Sequence, residues 1–565
     1  MHDWRNAEHY GSWVQTHDTI SDEDRSLIRG DIARFAERPL FLIVVLPADG
    51  GADWAARAVG SLTAQLYPVW EAWVPGHALP QRAADTRLNT IPDEGVTADW
   101  LAALLAAASS GRLVLLLPAD AALSEQALYE LAVALKENPQ TVIFFSDEDQ
   151  VDAAGRRSKP RLKSAWDPDL MLARNAAGLL TAYDREFLLT VLAACDGSGG
   201  LSEYGVALRA SQAALPNRIQ HIPAILCHRL QDPDMPPAWK PHRARDIVRR
   251  HLESAGDTSE VVPAPLAPQW NRIIRPVPEP APLVSVLMPT RDRADLLARS
   301  ANAVLSRTDY PALELLISDN GSSEPETAAL LQRLGSDPRV RILAAPGPFN
   351  FAALSNAAAQ AARGGVLVLL NNDIDAPDPG WLRELVSHAV RPDVGIVGAK
   401  LLYEDGRVQH AGVVFDCDGE VVHQLRLSSG TDPGPDGELA LTRTVSAVTG
   451  ACLCLRRQVF FEIGQLDERN LAVNFSDIDL CLRAGDYGYR VVFTPFASLI
   501  HSESASRDPG AAVERQQYLR ERHWFQAEWG CLLANDPFRS PNLSYGWNGT
   551  RMASGLPRRR PWQTQ

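Results

Sequence analysis

The sequence predicts an α/β protein of two tandem domains, each built on a mostly parallel sheet, with the first domain degenerate. Three observations support this fold class. Apolar strand patterns alternate with helical patterns along the chain, as they do in mostly parallel sheets. The two halves resemble each other, and an internal repeat of this size indicates two domains of one architecture. Seven prolines between Pro263 and Pro282 separate the halves.

Five segments follow from these patterns. A chain of 565 residues is long enough for more than one domain. The proline density is incompatible with a helix or a central strand, so we expect a semi-rigid linker there. The segments are a helical lead-in (1–39), a first module (40–260), the proline-rich linker (261–282), a second module (283–508) and a C-terminal helix with a tail (509–565).

The repeat consists of elements that occur in the same order in both halves. Each half opens with an apolar strand that ends in proline, followed by a helical stretch and a tyrosine–proline corner. Each continues with an apolar strand that has a polar end, a helix containing Leu-Arg-Ala, and a strand with a proline and a histidine. The matched features are the strands LFLIVVLP (40–47) and LVSVLMP (283–289), the corners at Tyr67 and Tyr310, Pro223 with Pro495, and His228 with His501.

Composition and charge narrow the function classes. The net charge of −14 argues against a nucleic-acid partner, which would need a basic surface. No apolar run reaches the roughly 18 residues of a membrane-spanning helix, and the first residues lack the apolar core of a signal peptide. The seven cysteines include no C-x-x-C pair, which favours free thiols in a reducing compartment. We therefore expect a cytoplasmic protein. A basic cluster, 558–560 beside Trp562, is interpreted as a solvated tail in preference to a weak membrane contact.

The most informative stretch is an apolar run, Val366–Leu370, that ends abruptly in the polar cluster NNDID. Five consecutive aliphatic residues predict a strand buried on both faces. Ligands of open α/β sheets bind at the carboxyl ends of strands, where Asp373 and Asp375 fall. Two acids one residue apart can hold a divalent cation against a diphosphate. The alternative is a polar turn before a helix that begins near Trp381.

Two further stretches place polar residues beside this strand end. The turn 289–293 follows the first strand of the second half, and Asp319 ends the next strand. An acid there can accept hydrogen bonds from a ribose hydroxyl or a base N–H, although D-N-G also predicts an Asx turn. Asn350 and Asn356 lie before and within a helix, where they can face a ligand or the surface.

A late cluster, NFSDIDLCLRAGDYGYR, predicts a helix that begins with acids. Ser476 is a good N-cap, with Asp477 and Asp479 in the first turn. These acids either complement the helix dipole, or one of them is a general base in a cleft. Because a helix cannot direct residues two apart to one point, we favour Asp477, with Asp479 supporting structure or binding the acceptor. His501 follows an apolar strand, where its imidazole can complete a metal site.

The order of six motifs resembles a known family. VSVLMPTRDR, ISDNGSS, LLNNDID, VTGACLCLRR, FSDIDLCLR and HSESASR resemble inverting glycosyltransferases of family 2, which have the GT-A fold, a Rossmann-related α/β architecture. The resemblance covers most of residues 283–545 and is closest to two-module bacterial members linked to O-antigen, rhamnan and other surface polysaccharides. It implies transfer of a sugar from a nucleotide-diphosphate donor to a glycan or lipid-linked saccharide, with Mg²⁺ or Mn²⁺ as cofactor. It also allows peripheral contact with the inner membrane face or with other polysaccharide-assembly proteins.

The resemblance also implies roles for individual residues. Asp477 would be the catalytic base, and the acceptor side would include Asp479 and Gly450. The metal would be held by Asp375 as the direct ligand, with His501 and Asp373 completing the site. The donor nucleotide would contact Thr290, Arg291, Asp319, Asn356 and Asp373.

The first half departs from the pattern, and we expect it to be catalytically silent. Asp120 stands alone where the second half has two acids, and Glu203 and Gly205 take the places of the helix acids. Of the residues implied for the second-half site, the first half retains only the histidine, as His228. The acidic stretch 146–152 is interpreted as a surface loop. The alternatives are a bifunctional transferase and a non-catalytic carbohydrate-binding or scaffold protein. A nucleotidyltransferase would favour a glycine-rich basic loop, which PTRDRAD is not.

Overall fold

The structure, a computed structural model, forms two compact units. Unit 1 comprises Met1–Asp257, Arg539–Ser544 and Thr550–Gln565, and unit 2 comprises Thr258–Phe538 and Tyr545–Gly549. The residues it describes are 7–47, 52–78, 85–92, 95–108, 111–194, 201–231, 241–416, 420–502, 512–545, 550–553 and 560–563.

Unit 1 alternates strands with helices through its first 257 residues. Its strands there are β1 (Leu40–Leu46), β2 (Trp70–Val74), β3 (Leu88–Thr90), β4 (Gly111–Pro118), β5 (Ala121–Leu123), β6 (Ile143–Val151), β7 (Arg157–Arg161), β8 (Thr181–Asp184) and β9 (Ile219–Leu230). Its helices are α1 (Ala7–Trp13), α2 (Asp22–Arg34), α3 (Ala52–Thr63), α4 (Ala98–Ala107), α5 (Ala127–Glu137), α6 (Pro168–Ala173), α7 (Arg185–Ala193), α8 (Glu203–Ala213) and α9 (Pro241–Ser254).

Unit 2 repeats this alternation. Its strands are β10 (Glu260–Ala264), β11 (Ala267–Ile274), β12 (Val284–Thr290), β13 (Leu313–Asp319), β14 (Val340–Ala344), β15 (Val366–Leu370), β16 (Ile374–Asp375), β17 (Val394–Leu402), β18 (Val408–His410), β19 (Val413–Phe415), β20 (Val421–His423), β21 (Arg443–Thr444), β22 (Cys452–Arg456) and β23 (Arg490–His501). Its helices are α10 (Ala294–Asn302), α11 (Pro325–Leu334), α12 (Phe351–Ala361), α13 (Trp381–Ala389), α14 (Arg457–Glu462), α15 (Ser476–Asp486) and α16 (Ala512–Ala534). A short hairpin of β24 (Leu543–Ser544) and β25 (Arg551–Met552) belongs to unit 1.

The main sheets of the two units have the same topology, which confirms the internal repeat. The strand order is β3-β2-β1-β4-β8-β6-β9-β5 in unit 1 and β14-β13-β12-β15-β22-β17-β23-β16 in unit 2. In each path one inner strand, β8 or β22, and one short end strand, β5 or β16, run antiparallel to the others. The prediction of mostly parallel α/β sheets is therefore confirmed. The tyrosine corners also match, because the hydroxyl of Tyr67 donates to the Pro39 carbonyl at 2.9 Å and that of Tyr310 to the Pro282 carbonyl at 2.8 Å.

The strand β15 is buried on both faces, as its unbroken apolar run predicts. Val366, Val368 and Leu370 pack into one hydrophobic cluster, and Leu367 and Leu369 pack into another on the opposite face. Helices on both sides cover the sheet, so the polar residues after Leu370 emerge only at the strand's carboxyl end. Burial of apolar surface contributes about 25 cal/mol per Å², and it fixes the position of this strand end.

Two interpretations of the sequence are wrong. The predicted linker forms a hairpin: β10 pairs antiparallel with β11, and the hairpin belongs to unit 2. Its prolines are tolerated because the hairpin is only two strands wide and proline is accepted at sheet edges. Arg272 of the hairpin forms an ion pair with Glu384 of α13 at 2.9 Å. The stretch 146–152 is not a surface loop, because most of it lies in β6, a strand in the interior of its sheet.

The acids of β6 are buried because each has a partner. Asp147 accepts from His221 Nε2 at 2.8 Å, and Glu148 pairs with Lys163 at 3.0 Å. Asp149 pairs with His228 at 2.5 Å. Charges of this kind are retained in a protein interior only when they are paired and hydrogen-bonded.

The basic tail prediction is also corrected in the part that the structure describes. Trp562 is buried in unit 1, and its indole N–H donates to Asp24 at 2.6 Å. Arg560 donates to the His17 carbonyl at 2.5 Å, while residues 558 and 559 lie outside the described residues. Within the described part of the chain, no helix combines the length and the apolar character needed to cross a membrane.

Candidate functional site

A cavity of about 1,230 Å³ opens at the carboxyl ends of β12 and β15 in unit 2. Four groups of residues form its walls. The first is the turn 289–293, and the second is Asn371–Asp373 together with His501. The third consists of residues 348, 349, 351, 449–451, 473, 474, 476 and 477, and the fourth is the start of α16 with Glu514, Arg515, Gln517 and Tyr518. Of the residues predicted from the sequence, the cavity brings together Thr290, Arg291, Asp373, Gly450, Asp477 and His501.

Asp373 and His501 face each other across the wall. His501 Nε2 lies 3.2 Å from Asp373 Oδ1. The other ring nitrogen, Nδ1, lies 2.6 Å from the side-chain oxygen of Gln409, which can accept a proton held on Nδ1. Asp373 Oδ1 is buried and has no hydrogen-bond partner. With the proton on Nδ1, the Nε2 lone pair and the carboxylate oxygen can bind one cation between them.

This arrangement fits a divalent cation. Two neighbouring ligands of one octahedral ion, each about 2.1 Å from the metal, lie about 3 Å apart. A histidine that ligates a metal generally donates its other N–H to an oxygen acceptor, which Gln409 provides here. Among the described residues no group of three or more His, Cys, Asp or Glu side chains can hold a metal. The remaining ligands of a cation at this position would therefore be groups other than His, Cys, Asp and Glu side chains of the described residues.

The two asparagines of NNDID complete the wall, and sequence reasoning assigned them no role. The Asn372 side-chain amide donates to the Thr290 hydroxyl at 2.9 Å, which ties the ends of β12 and β15 together. Asn371 Nδ2 lies 3.5 Å from His501 Nε2. Their position directly after the buried strand was the signal that could have identified them.

Asp375 does not lie on the cavity. Its carboxylate forms an ion pair with Arg307. In the short strand β16, Ile374 pairs with His501 and Asp375 pairs with Ile500, one position further from the cavity. The role of Asp375 as direct metal ligand stays a prediction, and of the two acids it is Asp373 that lines the cavity.

The residues predicted to contact the nucleotide include two at adjacent strand ends. Thr290 and Asp319 are register partners in β12 and β13. Asp319 Oδ1 accepts hydrogen bonds from the Ser322 N–H at 3.0 Å and the Ser322 hydroxyl at 2.6 Å, so its side chain closes the turn through the third residue on, whereas an Asx turn uses the second. Asp319 is half-buried and is not among the cavity-lining residues.

The turn after β12 has an unusual backbone. Asp292 and Arg293 both have positive φ angles, 54° and 55°, which cost of order 1–3 kcal/mol per residue and persist only when neighbours impose them. Asp292 Oδ1 accepts the backbone N–H groups of Ser323 and Glu324 at 2.7 and 2.9 Å. The turn is thus bound to the loop after β13, and Arg291 is left exposed on the cavity wall.

Asn356 is not among the cavity-lining residues, and its contact with the nucleotide stays a prediction. It is buried in α12, where its side-chain N–H₂ donates to the Leu466 carbonyl at 2.9 Å and to Glu468 at 3.0 Å. Its side-chain oxygen accepts the Leu466 N–H at 3.1 Å. The amide is used within the protein, and it anchors the loop before α15 to α12.

Asp477 lies on the cavity and is held by backbone N–H groups. Its Oδ2 accepts the Gly450 N–H at 2.6 Å, and its Oδ1 accepts the Ile478 N–H at 2.9 Å. Burial raises the pKa of this carboxyl, and the N–H donors only partly oppose the rise. A Cβ at Gly450 would lie 3.2 Å from the Asp477 Cβ, so a side chain there would have to displace Asp477 by a few tenths of an ångström. A half-buried carboxylate with a raised pKa is suited to accept a proton.

Asp479 points away from the cavity. It is buried, pairs with Arg483 at 2.7 Å, and accepts the indole N–H of Trp529 at 3.0 Å. These contacts attach α15 to α16, which fits the structural role that the sequence analysis left open for Asp479, and binding of the acceptor stays a prediction. The expectation that the helix cannot direct both acids to one point holds.

The start of α15 also differs from the prediction. Ser476 is the first helical residue, and Phe475 is the N-cap, with φ of 63°. The Phe475 ring stacks on Phe525 at 5.1 Å between ring centroids and contacts Tyr518 at 5.4 Å. These aromatic contacts hold the left-handed residue that brings Asp477 to the cavity.

The loop that carries Gly450 has a support that the sequence did not reveal. His410 is buried, and its Nε2 accepts the Thr449 N–H at 3.4 Å and the Gly412 N–H at 3.3 Å. Burial and the neighbouring His423 hold the pKa of His410 well below its usual value. The dipeptide Gln409-His410 therefore supports His501 on one side and the 449–450 loop on the other.

The sheet of unit 1 contains a counterpart of the Asp373–His501 pair. Ala121 pairs with Arg229 between β5 and β9, as Ile374 pairs with His501 between β16 and β23. Asp120 thus corresponds to Asp373, and Arg229, not His228, corresponds to His501. The predicted match of the two histidines is wrong by one residue.

Backbone hydrogen bonds support this correspondence. The Leu230 N–H donates to the Asp120 carbonyl at 2.7 Å, and the Ser502 N–H donates to the Asp373 carbonyl at 3.1 Å. The carboxylate of Asp120 forms an ion pair with the Arg229 guanidinium. In unit 1 an arginine guanidinium therefore occupies the place that the His501 imidazole has in unit 2.

The comparisons with known proteins agree with this description. The family model described as Glycosyl transferase family 2 matches residues 285–463. The chain is 34% identical over 562 residues to the uncharacterized protein y4gI of Sinorhizobium fredii, and 36% identical over 540 residues to the O-antigen biosynthesis protein RfbC of Myxococcus xanthus. These matches cover 96% and 91% of this chain but only 61% and 41% of the relatives, so the chain spans part of their length.

A third relative is shorter. The N-acetylglucosaminyl-diphospho-decaprenol L-rhamnosyltransferase of Mycobacterium tuberculosis is 27% identical over 259 residues, which is 40% of this chain and 81% of that protein. The family match covers β12, β13 and β15, whose ends form the cavity, whereas Asp477 and His501 lie beyond it. Residues 285–463, in the unit that contains the cavity, therefore match family 2 of the glycosyltransferases, and the motifs of the second half follow the order of that family.

Proposed function

We propose that unit 2 is an inverting glycosyltransferase that moves a sugar from a nucleotide-diphosphate donor to a hydroxyl group of a glycan or lipid-linked saccharide. The observation that carries this proposal is the presence of Asp373, His501 and Asp477 on one cavity. The names of the Myxococcus and Mycobacterium relatives support cell-surface polysaccharide synthesis and a lipid-linked acceptor. With such an acceptor, the enzyme works at the cytoplasmic face of a membrane.

The donor side requires charge compensation. Asp373 and His501 hold a divalent cation, Mg²⁺ or Mn²⁺, which when bound stabilises the negative charge that develops on the leaving diphosphate. Their 3.2 Å separation and the unpaired Asp373 Oδ1 support this assignment. Arg291 adds a guanidinium that can bind a phosphate oxygen. Thr290 and Asp319, at adjacent strand ends, orient the nucleoside.

The acceptor side requires a base. Asp477 removes the proton of the acceptor hydroxyl as the new glycosidic bond forms and the bond to the diphosphate breaks. The raised pKa of Asp477 makes it a stronger base, and the Gly450 N–H fixes its orientation. General base catalysis of this kind contributes about 10²–10⁴-fold to the rate.

Unit 1 is catalytically silent in this proposal. Arg229 neutralises Asp120 internally, so the counterpart position offers no lone pair to a cation. Glu203, at the start of α8, corresponds to Asp477. Without a cation site, however, unit 1 cannot stabilise the leaving diphosphate, so a base at Glu203 would not support transfer. This favours one active unit over a bifunctional enzyme, and the complete set of polar groups in unit 2 argues against a non-catalytic scaffold.

A donor screen tests the proposal. Purified protein with Mg²⁺ or Mn²⁺ is given a panel of nucleotide-diphosphate sugars, and release of the nucleoside diphosphate is measured. We expect turnover of at least one donor that chelator abolishes. Asp477→Asn should still bind that donor but transfer its sugar at least about 100-fold more slowly. Normal transfer by this variant would assign the base elsewhere, and no turnover of any donor would reject the proposed activity.

A further inference from the structure

We infer that α16 carries the acceptor subsite, with the Tyr518 ring as a platform for a saccharide. This inference rests on the proposed function and names the residue that selects the acceptor. The helix lies outside the family match of residues 285–463, yet Arg515, Gln517 and Tyr518 line the cavity.

Tyr518 is an exposed aromatic residue on a cavity wall. Its residue surface is 40% exposed, whereas one side of the ring contacts Phe475 at 5.4 Å between centroids. Phe475 stacks in turn on the buried Phe525 at 5.1 Å and an interplanar angle of 17°. The ring is thus backed by the core of unit 2 and presents an apolar surface to the cavity. Exposed aromatic surface in a concave, otherwise polar site marks ligand contact.

The same helix face fixes the start of α15, which bears the proposed base. Glu521 is buried and accepts both the backbone N–H and the side-chain N–H₂ of Asn474, each at 2.7 Å. Gln517 donates to the other oxygen of Glu521 at 2.9 Å. Tyr518, Glu521, Phe525 and Trp529 are spaced three and four residues apart and therefore share one face of the helix. The contacts of this helix face therefore fix the positions of Tyr518 and Asp477 relative to each other.

The division of the cavity indicates what Tyr518 contacts. The proposed donor-binding groups Arg291, Asp373 and His501 come from the ends of β12, β15 and β23. The helix α16 follows late in the sequence of unit 2, and its first residues line the cavity together with Asp477. The ligand there must offer a hydroxyl to Asp477. A pyranose meets both needs, because its C–H face packs on an aromatic ring while its hydroxyls reach polar groups such as Gln517 and Arg515.

The test separates acceptor binding from donor turnover. Octyl β-D-glucopyranoside and octyl α-L-rhamnopyranoside serve as probes, and saturation-transfer NMR detects contact of the sugar ring protons with the full-length protein. The same glycosides are offered as acceptors with the donor found in the screen. The variants are Tyr518→Ala, Tyr518→Phe and, as a matched control, Tyr487→Ala. Tyr487 is 56% exposed and does not line the cavity.

We expect Tyr518→Ala to weaken saturation transfer and raise the acceptor KM by about tenfold, which corresponds to about 1.4 kcal/mol. Donor hydrolysis in the absence of acceptor should stay within about twofold, because uniform acceptor binding is lost without change at the donor. Tyr518→Phe keeps the ring and should restore binding, and Tyr487→Ala should behave as the parent protein. If the parent protein turns over donor but shows no saturation transfer to either glycoside, or if Tyr518→Ala leaves binding unchanged, the subsite is rejected. Failure of donor turnover itself rejects the proposed function instead.

Discussion

His501 Nε2 and Asp373 Oδ1 lie 3.2 Å apart, and the side-chain oxygen of Gln409 lies 2.6 Å from the other ring nitrogen. From this relationship we predict that metal binding depends on Asp373 more than on Asp375. We expect Asp373→Asn to lower Mn²⁺ affinity in the presence of donor by at least about tenfold. Asp375→Asn is the matched control, since that carboxylate pairs with Arg307, and it should bind Mn²⁺ normally. Electron paramagnetic resonance of free Mn²⁺ measures the affinity of both variants. A larger loss of affinity in Asp375→Asn than in Asp373→Asn would assign the metal to Asp375.

Gln409 should control metal affinity without touching the metal. Gln409→Met removes the acceptor that fixes the protonated nitrogen of His501, and outer partners of this kind change metal affinity by about 10–100-fold. Gln409→Glu keeps an acceptor oxygen and should retain the affinity. Mn²⁺ titration of the three proteins with donor present compares them. Equal affinities in all three would mean that Gln409 only fills space.

The effect of Asp477→Asn on the stability of the protein should depend on pH. Burial raises the pKa of the Asp477 carboxyl, so the folded protein holds this proton more tightly than the unfolded chain does. As pH rises from the unfolded pKa through the raised folded pKa, this group therefore lowers the stability of the parent protein. The Asn variant has no such group, so its Tm relative to the parent should increase with pH over that window. Thermal unfolding at several pH values measures the difference, and a difference that falls with pH would contradict the raised pKa.

Glu384 should stabilise unit 2 at neutral pH. Burial tends to raise its pKa, but hydrogen bonding and charge from His388, with contributions from Arg272 and Thr494, outweigh burial and lower the pKa to about 2. A shift of this size corresponds to about 3 kcal/mol, which is present above the unfolded pKa and is lost as pH falls toward 2. Glu384→Gln should therefore lower the free energy of unfolding at pH 7 by about that amount and by less at pH 3. Glu326→Gln, on the exposed face of α11, is the control in urea unfolding.

The Asp120–Arg229 pair should be dispensable for turnover. Replacing both, as Asp120→Asn with Arg229→Gln, removes the pair without leaving one buried charge alone. Donor turnover should stay within about twofold, and equilibrium dialysis should give one Mn²⁺ per chain before and after the change. The same holds for the Asp120→Ala, His228→Ala double variant in the absence of unfolding. Loss of a distinct transferase activity in either variant would indicate two working sites.

Local patterns predicted the sites that depend on local geometry. Thr290, Asp373 and His501 follow buried strands, and Asp477 begins a helix, so each could be placed on the cavity from its neighbours in sequence. Asn356 and Asp479 could not, because the groups that occupy their side chains, Leu466 and Trp529, are 110 and 50 residues away. In both cases the side chain has the polar groups to bind a ligand, but these groups already form hydrogen bonds within the protein.

The errors at the strand ends have a different cause. Side chains of a strand alternate between faces, so a displacement of one residue moves a side chain to the other side of the sheet. His228 was matched to His501 although the register matches Arg229. The proline-rich segment was misjudged because proline excludes central strands but not a two-stranded hairpin.

The way the chain divides between its units determines what each unit still lacks during synthesis. Asn542 donates to the buried Asp147 at 3.2 Å and to the Pro223 carbonyl at 3.0 Å, yet the ribosome adds it only after residues 258–538. Trp562, which packs in the core of unit 1, is added later still. A nascent chain that has just passed Phe538 therefore contains most of unit 2 but lacks residues that unit 1 uses for its buried contacts.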